Sequence, residues 1–397
     1  MQINEMFGGL RVLELASVLA GPSVGQFFAE LGAEVVKIEN LKTQGDITRS
    51  WKGKSELQED ISAYFSSVNW GKKSVALDLS LPAGQEIVHA LAGQSDVVIA
   101  SYKPGDARKL TVDYQSLAPL SPGLIYGQIT GYGSENERVG YDAIIQAESG
   151  FMDMNGEAGG PPLKMPVALV DILAAHHLKE GLLLAMLKKH RTGEGELVEV
   201  SLIQAAVASL ANQASNWLVA KHLPGRQGSS HPNIAPYGDY FVSRDGKKVL
   251  LAIGSDLQFQ KLCKQLNMSD VALDPRFAIN ASRVKNREQL HRLIQGGISQ
   301  VDSGELVSRC NALKIPVGVI QNVQEVFEME EAKSILMHSD KCMGVRSYIG
   351  KSNAKLPGVS HILPPPAFGQ HTHRILHEKL AFSTEKLTLL QKSGVIN

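Results

Sequence analysis

The sequence predicts an α/β fold: a large domain on a doubly wound parallel sheet, joined to a smaller α+β domain. Three observations predict it. Short apolar runs alternate with helix-period stretches through the first 130 residues, an order that builds parallel sheets. Residues 223–233, rich in Gly, Ser and Pro, break the composition and mark a linker. Beyond them, apolar runs at 239–243 and 248–253 flank Asp245-Gly246, the signature of a β-hairpin. The expected domains are residues 1–222 for the large Rossmann-like domain, 223–325 for the small domain with its linkers, and 326–397 for a segment that returns to complete the large one.

In chain order, residues 10–15 form the first strand and residues 23–31 the first helix. Pro22 suits a first helical turn, and Gly32 suits the position after the last. Residues 34–39 form a second strand ending on Glu39, where dinucleotide folds keep a ribose-binding acid. The preceding turn, residues 17–25, lacks the GxGxxG glycines that let a pyrophosphate approach, so NAD and FAD are not expected. Residues 40–68 are polar and irregular. A third strand lies within 69–79, opened by Gly71-Lys72-Lys73; these lysines either hold an anion such as phosphate or belong to a solvated loop. A helix over 81–93 and strands over 96–100 and 124–129 continue the alternation. A strand over 197–202 precedes an Ala-rich helix over 203–220. Later, helices fill 256–313, residues 315–320 return as a strand, 324–337 are helical and 343–360 read as short strands.

The chemistry concentrates between Gly140-Tyr141-Asp142 and Asp171. After Asp171, residues Leu173, His177, Leu178, Leu182 and Met186 keep helical spacing, with cations at Lys188–Arg191 and a glycine stop at Gly193. A carboxylate at the start of a long helix faces the positive end of its dipole, which favours the ionised form. Asp171 is then either an ordinary helix cap or a permanently ionised, partly desolvated nucleophile for covalent acyl chemistry.

The 40 basic residues balance the 40 acidic ones, so charge gives no argument for a nucleic acid or an anionic membrane surface. No apolar run is long enough to span a membrane, and the first residues lack a signal peptide's basic and apolar regions. Cys263, Cys310 and Cys342 are widely spaced, which argues against a disulfide framework or zinc knuckle and for a reduced, cytoplasmic protein. His176 and His177 diverge on a helix, as do His371 and His373, so no metal site is expected.

Several motifs stand in order over nearly the whole chain: Val18-Leu19-Ala20-Gly21-Pro22, Gly32-Ala33-Glu34-Val35-Val36-Lys37-Ile38-Glu39, Gly71-Lys72-Lys73-Ser74-Val75-Ala76-Leu77-Asp78-Leu79 and Gly140-Tyr141-Asp142. Arg191-Thr192-Gly193-Glu194-Gly195, His231-Pro232-Asn233-Ile234-Ala235-Pro236-Tyr237 and Gly369-Gln370-His371-Thr372 follow. Together they resemble the class III CoA-transferases, the group of formyl-CoA, carnitine and dicarboxylate CoA-transferases, and most of all relatives such as succinyl-CoA:glutarate transferases. The resemblance implies that CoA moves from an acyl-CoA donor, for example succinyl-CoA, to a carboxylic acid through a thioester on Asp171, with coenzyme A as co-substrate and no metal.

It also implies a CoA cleft lined by Val18, Leu19 and Ala20, by Leu77, Asp78 and Leu79, by Ser101, Tyr102 and Lys103, and by Gly140, Tyr141 and Asp142. Some relatives carry arginine where this chain has Asn40 and Lys109. Lys109 keeps the charge without the bidentate fork, which shifts phosphate contacts toward Lys72 and Lys73. Arg49 is the candidate cation for a distal substrate carboxylate. Gly228 and Ser229 stand at a loop that is glycine-rich in relatives, and His231 follows them; all three are candidate substrate contacts. Racemases of the same group pair an aspartate with the histidine of a Gly-His-Asp turn; Tyr141 at that position argues for transfer instead. A non-catalytic CoA-binding protein is the other alternative. The resemblance further implies an interlocked homodimer.

Overall fold

The computed structural model describes residues 6–57, 61–340, 342–350 and 362–397. The chain forms two compact units. The first comprises Met1–Phe151, Lys164–Ala220 and Ser334–Asn397; the second comprises Met152–Leu163 and Lys221–Lys333. The segment 152–163 belongs to the second unit because the linker binds it. Arg226 reaches the Asp153 carboxylate at 2.9 Å and the Gly160 carbonyl at 3.0 Å, and Gly228 N–H donates to Gly156 O at 2.9 Å. The unit runs on past residue 325 because Glu325 pairs with Lys247 at 3.3 Å and Ile320 N–H donates to Lys248 O.

In the first unit, six strands form one parallel sheet: β1 (Arg11–Leu15), β2 (Glu34–Asn40), β3 (Lys72–Leu77), β4 (Val97–Ala100), β5 (Ile125–Thr130) and β6 (Leu197–Ser201). Their spatial order is β3-β2-β1-β4-β5-β6, so the winding direction reverses between β1 and β4. Both faces are buried, as an all-parallel sheet requires. Val12, Val97, Ile99 and Ile125 point into one core, and Leu13, Val98, Ala100 and Tyr126 into the other, the period-two alternation of extended chain.

Among the described residues up to 220 the α-helices are α1 (Ala20–Glu30), α2 (Ala63–Ser66), α3 (Pro82–Ala92), α4 (Asp106–Lys109), α5 (Tyr114–Leu117), α6 (Asp142–Glu148), α7 (Phe151–Met154), α8 (Leu169–Thr192), α9 (Leu202–Ala208) and α10 (Ala211–Leu218). Val24 and Phe28 of α1 share the first core with Ala174, Leu178 and Leu182 of α8. Ile87, Val88 and Leu91 of α3 fill the second. The region 40–68, read as irregular, contains α2 and a 3-10 turn at Ile47–Ser50. The expected helix over 203–220 is two helices, the second opening on Ala211 at φ +48°. Of the strands expected in 343–360, Met343–Val345 pairs antiparallel with Leu336–His338, and residues 351–360 lie outside the described residues.

β3 is an edge strand, and an uncovered edge invites pairing with other chains. The C-terminal segment covers it with side chains. Ser74 N–H donates to His371 Nδ1 at 3.1 Å, and Ala76 N–H donates to Thr372 Oγ1 at 3.0 Å. His371 N–H returns a bond to Ser74 O, and Asp78 N–H donates to Val395 O. The Gly-Gln-His-Thr motif therefore has a structural role. Thr372→Val should leave a buried Ala76 N–H without an acceptor and cost about 1–3 kcal/mol in denaturant unfolding.

The second unit holds a three-stranded antiparallel sheet, β7 (Tyr237–Val242), β8 (Lys248–Ala252) and β9 (Val317–Val319). Phe241, Leu251, Phe259, Leu262, Leu290, Ile294 and Leu306 form its core. Arg283 is fully buried there, donating to Ala235 O and Phe277 O and pairing with Asp256 at 2.6 Å.

Candidate active site

A cleft of about 340 Å³ opens at the carboxyl end of the sheet where the strand order reverses, the usual ligand position in such sheets. Ser17–Ala20 after β1, Ser101–Pro104 after β4 and Ile129–Gly131 at the end of β5 supply its walls. Gly140, Tyr141, Asp142 and Asp171 complete it.

The β1 loop is strained on purpose. Val18 has φ +72°, a conformation costly for a β-branched residue. Its N–H is held by both oxygens of Asp46, at 3.3 and 3.2 Å. Asp46 also accepts from Thr48 N–H and Oγ1, and pairs with Lys37 at 3.0 Å. Lys37 is itself buried, bonded to Glu14 at 3.0 Å and to Ala16 O at 2.6 Å. A buried charge network thus fixes the cleft wall from below.

The turn before Asp142 is set by two glycines. A Cβ on Gly140 would lie 2.5 Å from Gly131 Cα, and one on Gly131 would lie 2.8 Å from Gly140 Cα. Backbone meets backbone, so neither side can yield. Gly140→Ala should displace Tyr141 and Asp142 and cut transfer at least about tenfold, measurable as kcat/KM with the fold checked by circular dichroism.

Asp171 is the third residue of α8 rather than its cap. The cap position is Ala168, which offers no side-chain acceptor. Asp142, the first residue of α6, substitutes: its Oδ1 accepts Val170 N–H at 2.8 Å, and its Oδ2 accepts Gln146 Nε2 at 2.7 Å. Asp171 is 8% exposed. Burial first, and then the negative charge of Asp142, push its pKa up to about 7. The expectation of a permanently ionised carboxylate is corrected: desolvation and a like charge push the group toward its protonated form, against the helix dipole.

Ten of the expected positions meet in the cleft: Val18, Leu19, Ala20, Ser101, Tyr102, Lys103, Gly140, Tyr141, Asp142 and Asp171. Asn40 lies in an adjoining hollow of about 290 Å³ that shares Ser17, Ile47, Ser101 and Tyr102 with the cleft. Lys109 is a surface residue paired with Asp106 at 3.0 Å. Other expectations are corrected. Lys72 is wholly buried, 2.7 Å from Glu14 and bonded to Pro22 O and Asn69 Oδ1, so it presents no donor to a phosphate. Lys73 pairs with Glu34 at 2.6 Å. Leu77 is core, and Asp78 accepts from Ser80 and pairs with Lys42, with buried Leu79 beside it; none of the three lines the cleft. Arg49 is consumed internally: it grips both oxygens of Glu39, bonds Pro366 O and stacks on the Phe65 ring. Glu39, so saturated and also bonded by Ser74 and Asp46 N–H, has no lone pair left for a ribose. Gly228, Ser229 and His231 belong to the second unit, where Gly228 takes φ +63° and His231 packs edge-on against Tyr237.

Sequence reasoning missed Trp51 and Arg138, which also line the cleft. Trp51 stacks edge-on with Tyr64 at 5.0 Å. Arg138 lies over the Tyr132 ring and pairs with Glu148, two residues before the Gly140 turn. A lone arginine in the polar run 134–138 has no local signature. Among the described residues, no group of three or more His, Cys, Asp or Glu side chains is placed to hold a metal, and no helix is long and apolar enough to cross a membrane.

The model of CoA-transferase family III matches residues 7–372. The chain belongs to this family. It is 36% identical to the succinate–glutarate CoA-transferase of Agrobacterium fabrum, over 93% of this chain and 94% of that one. It is 34% identical to the succinyl-CoA:glutarate CoA-transferase of Mus musculus, over 98% and 89%. A crystal structure of a CaiB/BaiF family protein from Brucella suis superposes with a TM-score of 0.85 at 36% identity, covering 94% of this chain and 99% of that one. The protein is therefore a class III CoA-transferase, with CoA as its co-substrate.

Proposed function

We propose that this CoA-transferase moves CoA from succinyl-CoA to a second carboxylic acid, glutarate being the first candidate, with Asp171 as covalent carrier. The supporting observation is a buried carboxylate at the carboxyl-end cleft of a doubly wound sheet, in a chain whose relatives are named for succinate and glutarate. An Asp171 oxygen attacks the donor thioester carbonyl and CoA leaves as thiolate, giving a mixed anhydride. The thiolate then attacks the Asp171 carbonyl, expelling the donor acid and forming an aspartyl-CoA thioester. The acceptor carboxylate attacks that thioester, releasing the thiolate, which takes the acceptor's acyl group and frees Asp171.

The tetrahedral states need donors, and the free N–H groups at the start of α1, beside Leu19 and Ala20, are suited to supply them. Lys103 and Arg138 are the cations on the cleft wall and serve CoA phosphates or a substrate carboxylate. Asn40 and Lys109 extend the CoA footprint. Leu184 and Leu187 of α8, 67% and 58% exposed, give an apolar strip suited to a homodimer contact. Three free cysteines fit a reducing, cytoplasmic setting.

The test is a matrix of acyl-CoA donors against mono- and dicarboxylic acids, read by mass spectrometry. Transfer from succinyl-CoA to a dicarboxylic acid is expected. A racemase would instead wash solvent deuterium into the α-carbon of a branched acyl-CoA; the described cleft wall carries no histidine to make that two-base chemistry.

A further inference from the structure

We propose that Asp142 is a positioning residue for Asp171: from the neighbouring helix it holds the first turn of α8, and its negative charge drives the nucleophile toward its uncharged, acylated forms. The inference rests on Asp171 being the covalent carrier.

Geometry carries it. The two carboxylates share one cleft wall but are treated differently. Asp142 receives two donors, Val170 N–H and Gln146 Nε2. Gln146 is itself fixed, its Oε1 accepting Met165 N–H at 2.9 Å, so the bridge from α6 reaches the chain just before α8. No described donor reaches the Asp171 carboxylate. Of two neighbouring carboxylates, the one without donors carries the cost of the like charge beside it.

The other groups facing Asp171 do not relieve that cost. From α2, the Tyr64 hydroxyl is pushed above its usual range by burial, then by Asp171 and Asp142, and it carries no positive charge. The β1 loop, the Ile47–Trp51 stretch and β5 bring no charged side chain to the wall. Lys103 and Arg138 line the same cleft, but neither is a cause of the Asp171 shift, and Arg138 is engaged by Glu148.

Charge bookkeeping over the cycle gives the consequence. The mixed anhydride and the aspartyl thioester carry no charge at Asp171; the resting carboxylate does. Whatever raises the energy of the resting anion beside Asp142 therefore favours acylation and lengthens the life of the covalent enzyme.

The test is a carbon-13 carboxyl titration of the free enzyme, with the Asp171 signal assigned by its loss in Asp171→Asn. In Asp142→Asn, Oδ1 still accepts Val170 N–H, and the Asp171 midpoint should fall by about one pH unit or more. Asp142→Asn also loses the Gln146 Nε2 bond at Oδ2; Gln146→Leu removes that bond without altering charge and should leave the midpoint in place. An unmoved midpoint in Asp142→Asn, or an equal shift in both variants, overturns the proposal. The titration needs no turnover, so a failure of the covalent mechanism would show separately, as transfer retained by Asp171→Asn.

Discussion

Asp171→Asn is expected to abolish CoA transfer while making the protein more stable above neutral pH. Loss of the covalent carrier proposed above would remove the route through the two acyl intermediates, and turnover should fall by about a thousandfold or more. The stability effect follows from proton linkage. The Asp171 carboxyl rises from 3.8 in the unfolded chain to about 7 in the fold. A raised folded pKa contributes stability that is fully present below pH 3.8 and lost as pH rises through about 7. At about 1.4 kcal/mol per unit, the loss saturates near 4 kcal/mol. Asparagine does not titrate. Its stability advantage over the wild type should grow by about 2–3 kcal/mol between pH 5 and pH 8, measured by urea unfolding at both values. The wild-type acylation rate should rise about tenfold per pH unit below 7 and level off above it. A variant that is inactive yet no more stable at pH 8 would mean that Asp171 is not the strained charge described.

The second large effect lies under the cleft. Lys37→Met should destabilise the protein by about 3–5 kcal/mol, because it leaves Asp46 buried without its cation and Glu14 with Lys72 alone. Burial alone would lower the Lys37 pKa, but Glu14, Asp46 and Glu39 reverse this and hold the ammonium charged. The loss should not be confined to stability. Asp46 fixes Val18 at φ +72°, so release of Asp46 should let the cleft loop relax. Under conditions where the variant is folded, KM for acyl-CoA should rise. A Lys37→Met protein of wild-type stability would show that the network is dispensable.

These long-range pairs are what the sequence could not show. The strands were legible because each is a short apolar run whose alternate residues enter opposite cores, as Val12 and Leu13 do. Asp171 and the loops 17–20, 101–103 and 140–142 were legible as motifs, and the switch point brings them together. Lys72 was misread because its partner Glu14 is 58 residues earlier, on a strand that does not neighbour its own. Arg49 looked like a free loop cation because nothing local announces its grip on Glu39 and Pro366. Asp171 was read as the cap of α8, three residues past the actual cap position at Ala168, for the same reason: the capping carboxylate comes from Asp142, 28 residues upstream of Val170. Burial, and after it the charge of that remote residue, push the Asp171 pKa up, so helix position alone gave the wrong sign.

Intact-protein mass spectrometry after mixing the enzyme with succinyl-CoA, without an acceptor, tests the covalent role of Asp171 most directly. The expected result is an adduct of CoA mass that maps to the peptide containing Asp171, is released by hydroxylamine and is absent from Asp171→Asn. Full transfer activity with no adduct, or an adduct that persists in Asp171→Asn, would contradict it.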